Sequence, residues 1–151
     1  MKNRMQLKIS ALGENEGFAR SAVAAFAASL EPTIDELTDV KTAVSEAVTN
    51  CVVHAYKGAE NEENYVEIVC ETNGVSRELH IEIADTGCGI ENVEKAMQPF
   101  FTTSTGAERS GMGFTIMQTF MDECTAESEK GVGTVVKMRK KFGKKAGEDA
   151  E

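Results

Sequence analysis

Glu46, Asn50 and His54 are the first residues whose types and spacing suggest chemistry, because they follow one another at intervals of four. On a helix, residues at that spacing stack along one line of the surface. The line borders an apolar stripe, where a core gives way to a cleft. A carboxylate there could act as a general base, and an amide oxygen could bind a hard cation such as Mg²⁺. An ordinary solvated ladder of polar side chains has the same spacing, so both interpretations remain open.

A second candidate is the segment D-T-G-C-G at residues 85–89, which stands where an alternating apolar segment ends. Two glycines after a strand-end carboxylate let the backbone turn sharply and let a flat ligand come close. The carboxylate of Asp85 could accept a hydrogen bond from an exocyclic amine such as that of adenine. A purely structural turn would carry the same motif.

A third candidate is the segment R-S-G-M-G at residues 109–113, which is expected to open a helix. Glycines at a helix N-terminus expose backbone amides and the positive end of the helix dipole, and both suit phosphate. A P-loop is excluded because Met112 stands where its lysine would be. A dinucleotide-binding fingerprint is excluded because Ile116 stands where its third glycine would be. A plain glycine turn is as good an interpretation of this segment as a phosphate site.

Periodicity predicts the elements that would position these segments. In chain order they are a strand through Met5, Leu7 and Ile9, a helix over 14–30, a second helix from a capping box at Thr33 and Glu36 to about Tyr56, a hairpin of 65–72 and 77–85 around Asn73-Gly74, a short helix over 92–97, a Thr-, Ser- and Gly-rich loop over 98–111, a helix from Phe114, and strands over 125–129 and 134–139. This order predicts an α+β fold, a two-layer sandwich whose mixed, mostly antiparallel sheet has helices on one face.

Length and composition set the remaining expectations. A chain of 151 residues predicts one domain, placed at 1–140 and followed by a disordered charged tail at 141–151. The net charge of −9 disfavours nucleic acid and anionic membranes as partners. The bases clustered over 137–145 are interpreted as a solvated strand end, with a docking patch as the alternative. The four dispersed cysteines argue against a zinc site, and no membrane span or signal peptide is apparent, so a cytoplasmic location is expected.

Taken together in this order, the three segments resemble the ATP site of the GHKL family, which includes gyrase, Hsp90, histidine kinases and MutL. The resemblance spans about Met5 to Arg139 and implies the two-layer sandwich expected above. It also implies ATP or ADP and Mg²⁺ as ligands. The segments at 17–20, 49–56 and 108–117 are similar to one group within the family, the anti-sigma factors of endospore-forming bacteria that are also serine kinases.

The resemblance implies a role for each matching residue. Glu46 would be the general base, Asn50 would coordinate Mg²⁺, Asp85 would bind the adenine amine, and Arg109 would stabilise phosphoryl charge or hold a partner. Arg20 would serve partner docking. The other residues expected to line the nucleotide are His54, Gly87, Gly89, Ile90, Thr103, Ser110, Gly111, Gly113 and Thr134. Ser104 is a departure, because relatives usually have lysine there, and a phosphate contact is lost with it.

The resemblance therefore implies an ATP-dependent serine protein kinase that binds and inhibits a sporulation sigma factor and phosphorylates a serine of its anti-anti-sigma factor. It also implies a homodimer. Two alternatives remain open: an ATP-sensing anti-sigma module without significant kinase activity, and the catalytic domain of a two-component histidine kinase.

Overall fold

The computed structural model describes residues 1–58, 61–98 and 113–143. Its strands are β1 (Lys2–Ser10), β2 (Tyr65–Asn73), β3 (Glu78–Asp85), β4 (Glu123–Glu129) and β5 (Gly133–Lys141). Its α-helices are α1 (Glu16–Ala27), α2 (Ile34–Thr49), α3 (Val93–Ala96) and α4 (Gly113–Phe120). Short 3₁₀ turns flank α1 on both sides, and a π-helix, Asn50–Ala55, continues α2. The predicted elements are therefore confirmed in type and order for the described residues.

The strands form one sheet in the order β1-β2-β3-β5-β4, and every neighbouring pair is antiparallel. The α+β class is confirmed. The sheet was expected to be mixed and mostly antiparallel, but within the described part of the chain it is antiparallel throughout. Hairpins join two of the four neighbouring pairs, β2–β3 and β4–β5, and a hairpin makes its strands antiparallel. Helices intervene between β1 and β2 and between β3 and β4.

The core lies between one sheet face and the helices. Along β3, Leu79, Ile81 and Ile83 are almost completely buried, as their alternation predicts, while the residues between them face outward. Burying each such side chain stabilises the fold by about 1.5–3 kcal/mol. Asp85 is the next residue in that alternation, so the carboxylate comes from the core face at the point where the strand ends.

The capping box that starts α2 is confirmed. Thr33 Oγ1 accepts a hydrogen bond from the Glu36 backbone N–H at 3.1 Å, and the Glu36 carboxylate accepts one from the Thr33 N–H at 2.8 Å. The far end of the helix differs from the prediction. Instead of one α-helix to about Tyr56, the chain changes at Asn50 to a π-helix, in which Tyr56 N–H bonds Cys51 O at 3.0 Å.

The β2–β3 hairpin is confirmed, with its connection shifted by one residue from the predicted 73–76. Pairing stops at Asn73 and Glu78, which leaves residues 74–77 as the loop. The Asn73 side-chain oxygen accepts hydrogen bonds from the backbone N–H groups of Val75 and Ser76, at 3.0 and 3.2 Å. The side chain thus replaces the bonds of a two-residue turn.

The ordered fold extends past the predicted domain end at 140. Lys141 belongs to β5 and Phe142 is only 2% exposed. The next backbone N–H, that of Gly143, donates to Glu36 Oε2 at 3.1 Å and ties the chain to the first turn of α2. The rest of the predicted tail, residues 144–151, lies outside the described residues.

Two bases of the cluster, Lys137 and Arg139, are paired with carboxylates of neighbouring strands, and Lys140 lies 3.6 Å from Asp39 of α2. Lys137 lies 3.8 Å from Glu82 and 3.5 Å from Glu127. Arg139 lies 3.3 Å from Glu78 and 3.1 Å from Glu123. Pairs of this kind at a sheet surface contribute little net stability. Their effect is to neutralise the bases locally, which favours the interpretation as a solvated strand over a docking patch for these residues.

No helix in the described ranges is both long enough and apolar enough to cross a membrane. All four cysteines are free thiols, and Cys51, Cys70 and Cys124 are buried while Cys88 is exposed. Burial raises the pKa of Cys70 to about 12 and that of Cys124 to about 11, so both stay protonated.

Candidate functional site

The start of α4 lies directly against the predicted catalytic helix. A Cβ atom placed on Gly113 would lie 3.2 Å from Asn50 Oδ1, 3.3 Å from Asn50 Nδ2 and 3.5 Å from Glu46 Oε2. The structure therefore brings Glu46, Asn50 and Gly113 together, although Gly113 is far from the other two in sequence. Glu46 and Asn50 are half-buried, as expected for residues at the border of core and cleft.

The π-helix positions the loop that follows β3. Its carbonyl oxygens at Ala55 and His54 accept hydrogen bonds from the Cys88 N–H at 2.9 Å and from the Cys88 thiol at 3.5 Å. A side chain at Gly87 would collide with the backbone carbonyl of Ala55. Glycine at 87 is thus required by the close approach of the Ala55 backbone, whereas the sequence suggested a sharp turn and the close approach of a flat ligand. His54 contributes its backbone to this contact and is itself half-buried.

Asp85 is buried at the end of β3, with 9% of its surface exposed. Its Oδ1 accepts a hydrogen bond from the Gly87 N–H at 3.0 Å, and the carboxylate also accepts from the Thr134 backbone N–H and from the Cys51 side chain. Burial raises the pKa of Asp85, and these three donors oppose that rise by stabilising the ionised form. The group is therefore a fixed acceptor whose charge is costly to bury.

Cys51 is a site residue that sequence reasoning missed. Burial first, and the negative charge of Asp85 second, raise the pKa of the Cys51 thiol well above its usual value. The thiol consequently keeps its proton and serves as a hydrogen-bond donor to the carboxylate. Its position on the buried face of the long helix suits a packing residue and a donor equally, so the sequence contains no signal for this contact.

The far side of the loop at 85–90 rests on the β4–β5 hairpin. Gly89 has φ +75°, and a side chain there would collide with the backbone of Glu129. The Ile90 N–H donates to Ser128 Oγ at 2.6 Å, and the same Oγ lies 2.8 Å from Thr134 Oγ1. Ser128 was not predicted, since nothing local distinguishes one serine in a polar strand.

Tyr56, which the sequence analysis did not predict as a site residue, holds the loop at 85–90 through its hydroxyl group. Its hydroxyl accepts a hydrogen bond from the Thr86 N–H at 2.9 Å and donates one to Tyr65 O at 2.7 Å. The side chain is 8% exposed. A tyrosine that ends an apolar stripe was a usable signal, because a buried tyrosine hydroxyl normally has a hydrogen-bond partner.

The other predicted site residues are Arg20 and a group that lies outside the described residues. Arg20 lies on α1, where its guanidinium is 3.3 Å from Glu16 Oε1, one turn earlier. Thr103, Arg109, Ser110 and Gly111, and the departure at Ser104, lie outside the described residues. The same holds for most of the predicted loop over 98–111.

The described oxygen ligands at the start of α4 are too few for a metal ion bound entirely by protein side chains, but they suit Mg²⁺. The described residues include no group of three or more His, Cys, Asp or Glu side chains able to hold a metal ion. Asn50 and Glu46 supply one amide oxygen and one carboxylate. Mg²⁺ is commonly bound by one or two protein oxygens together with water and substrate phosphates.

The two ends of the site therefore suit different parts of a ligand. At one end, Asp85 offers a buried acceptor framed by glycine backbone. At the other, an acid and an amide face a helix N-terminus, which is electrostatically suited to anions.

Comparisons with known proteins agree with this geometry. A family model described as "Histidine kinase-like ATPase domain" matches residues 9–140. A crystal structure of the RsbU and RsbW domains of a Mycobacterium tuberculosis protein has the same fold, with a TM-score of 0.65 at 13% identity, over 93% of this chain and 32% of that one. The fold and the family together define a nucleotide-using ATPase-type domain.

Two relatives are similar over nearly their whole length, and each bears the name anti-sigma F factor. The Caldanaerobacter subterraneus subsp. tengcongensis protein is 54% identical over 143 residues, covering 94% of this chain and 96% of the relative. The Clostridium acetobutylicum protein is 54% identical over 142 residues, with the same shares. The chain belongs to the histidine kinase-like ATPase domain family and, within it, to the family of the anti-sigma F factors. The resemblance drawn from its motifs is thus confirmed.

Proposed function

We propose that this protein is an ATP-dependent serine kinase that also binds and inhibits a sigma factor of sporulation. The observation that carries the proposal is the convergence of Glu46 and Asn50 on Gly113, the first residue of α4. A carboxylate and an amide at a helix start form a site for reacting phosphate. The names of the relatives support the sigma factor as partner.

At the base-binding end, Asp85 would accept a hydrogen bond from the adenine 6-amino group. Its three protein donors leave the carboxylate oriented, and a charge-assisted hydrogen bond of this kind contributes about 1.5–3 kcal/mol. Gly87 and Gly89, packed against the backbones of Ala55 and Glu129, would hold the loop beside the base. Thr134 stands beside Asp85 in the neighbouring strand.

At the phosphate end, Asn50 would hold Mg²⁺ and Gly113 would offer its backbone amide to the phosphates. Mg²⁺, when bound, would neutralise charge on the transferring phosphoryl group. Glu46 would accept the proton of the partner's serine hydroxyl as that oxygen bonds to the γ-phosphorus and the bond to ADP breaks. Most of the rate would come from positioning and charge neutralisation.

The decisive experiment compares wild type with Glu46→Gln, which keeps the shape of the side chain and removes its basicity. The protein is mixed with γ-labelled ATP and a candidate anti-anti-sigma protein, and the label is located. We expect Glu46→Gln to bind Mg·ATP as wild type does and to transfer no phosphate. Asn50→Ala should instead weaken Mg·ATP binding itself. Equal transfer by wild type and Glu46→Gln would remove Glu46 as the base.

The same experiment separates the two alternative functions. ATP binding by wild type with no transfer to the partner would make the protein an ATP-sensing anti-sigma module. Acid-labile label, typical of phosphohistidine, would make it a histidine kinase domain. Acid-stable phosphoserine on the partner supports the proposal.

The partner-binding proposals concern Arg20, Arg109 and oligomeric state. We expect Arg20→Ala to weaken sigma factor binding in a pull-down while ATP affinity stays unchanged. Arg109→Ala, in contrast, should reduce phosphate transfer, partner binding or both. Sedimentation of the free protein should give the mass of a homodimer, twice the 16.3 kDa of the chain.

A further inference from the structure

Asp85, Thr134 and Ser128 form a row across three neighbouring strands. Asp85 of β3 is the register partner of Thr134 in β5, and Thr134 is the partner of Ser128 in β4. Register partners project from the same face of a sheet, with Cβ atoms about 5 Å apart. The row therefore continues from the predicted adenine contact toward the β4–β5 hairpin.

Ser128 makes three polar contacts through its single hydroxyl. The oxygen lies 2.6 Å from Ile90 N, 2.9 Å from the carbonyl oxygen of Gly133 and 2.8 Å from Thr134 Oγ1. A backbone N–H can only donate and a carbonyl oxygen can only accept. A serine hydroxyl has one proton to donate and two lone pairs that accept.

Proton counting then gives one arrangement in which all three contacts are hydrogen bonds. Ser128 donates its proton to Gly133 O and accepts from the Ile90 N–H. Its second lone pair must accept the Thr134 hydroxyl proton. Thr134 consequently has no proton left for a ligand, and its oxygen presents only lone pairs beside the Asp85 carboxylate.

We propose that Ser128 is a positioning residue that fixes the Thr134 hydroxyl as an acceptor, so that the site selects a purine with a 6-amino group over one with a 6-oxo group. This inference rests on the proposed nucleotide function. A 6-amino group has two protons to donate, whereas a 6-oxo group would face acceptors only. Such a mismatch leaves polar atoms unpaired, which is how binding sites discriminate most strongly.

Ser128 also holds the loop itself, through Ile90, so its loss affects two quantities. Loosening the loop weakens binding of every nucleotide by the same factor. Freeing the Thr134 proton changes only the ratio between the two purine types. The ratio of dissociation constants is therefore the readout that a merely structural role would not move.

The test measures Kd for ATP and for inosine triphosphate, which carries the 6-oxo group, with the full-length protein. We expect Ser128→Ala to lower the preference for ATP by about tenfold, the change that loss of one hydrogen bond produces. Ser128→Thr keeps the hydroxyl and should stay within about twofold of wild type. Thr125→Ala, at an exposed position of the same strand, is the matched control and should change neither constant.

A double-mutant cycle tests whether Ser128 affects the purine preference through Thr134. Thr134→Val should lower the preference by itself, and adding Ser128→Ala to it should lower the preference no further. Independent, additive losses would overturn the proposal, as would an unchanged preference in Ser128→Ala. If Ser128→Ala does not fold, Ser128→Cys, whose thiol forms weaker hydrogen bonds, should show an intermediate preference, and an unchanged one would overturn the proposal. Failure of wild type to bind ATP at all would overturn the proposed function instead.

Discussion

Replacing Gly113 with alanine separates the stability of the fold from the geometry of its site. Gly113 opens α4 with a negative φ, so alanine is compatible with its backbone. Alanine is favoured over glycine in a helix by up to about 1 kcal/mol. The added methyl group, however, would lie 3.2 and 3.3 Å from the two terminal atoms of the Asn50 amide.

The size of the effect follows from those distances. A carbon atom prefers about 3.5 Å or more from a nonbonded neighbour, so the Asn50 amide must shift by a few tenths of an ångström. A misplacement of 1 Å can cost about 100-fold in rate, and about a third of that on a logarithmic scale is about fourfold. We therefore expect a free energy of unfolding between unchanged and about 1 kcal/mol higher, together with phosphate transfer about fourfold slower.

The assay combines urea denaturation with the Mg²⁺ dependence of ATP binding and transfer. Gly13→Ala is the matched control, because a Cβ there meets no atom within 4 Å and the position lies in the first 3₁₀ turn. It should leave ATP binding and transfer as in wild type. Normal Mg²⁺-dependent transfer by Gly113→Ala would refute the proposed role of Asn50 and Glu46 at the start of α4.

Three further predictions concern the rest of the site and the helix that carries it. Because burial raises the pKa of Asp85, ATP affinity measured by titration calorimetry should fall with decreasing pH at a pH above the ordinary carboxyl value of 3.8. The free energy of unfolding should change with pH in the opposite direction, because ionising this buried acid in the folded state is costly. The contribution of Asp85 to stability therefore falls as pH rises through its raised pKa. Asp85→Asn should abolish both trends, which pH-dependent melts and calorimetry would show. Gly87→Ala should destabilise the fold by about 1–3 kcal/mol, through overpacking against Ala55, and lower ATP affinity in the same preparation. Thr33→Ala should cost about 1 kcal/mol in urea denaturation through loss of the α2 cap, with ATP affinity unchanged.

Features that depend on near neighbours in the chain were predictable. The Thr33 capping box, the alternation of Leu79, Ile81 and Ile83, and the glycine turn after Asp85 are each read within a few residues, and each is confirmed. The helical spacing of Glu46 and Asn50 also singled them out as candidates, although a solvated polar ladder has the same spacing and only the family resemblance gave them roles. Local hydrogen bonding and side-chain period decide these features, and both are properties of short segments.

Features that depend on a distant partner were not predictable from the residues alone. Nothing near Cys51 in the chain indicates that its thiol donates to Asp85, and nothing near Ser128 indicates its contact with Ile90. The change from α-helix to π-helix at Asn50 is similar, because the Ala55 carbonyl is used by Cys88, a residue of another element.

By itself, the sequence determined the element order and the α+β class, since both rest on local pattern. The nucleotide-site residues stay predictions, because their roles rest on the family resemblance. Only the tertiary structure decided that Gly113 meets Asn50, that β3 and β5 place Asp85 beside Thr134, and that the sheet is antiparallel throughout its described strands. The physical reason is that buried polar groups take their partners from whichever strand or helix packs against them, and the packing is settled by the whole core.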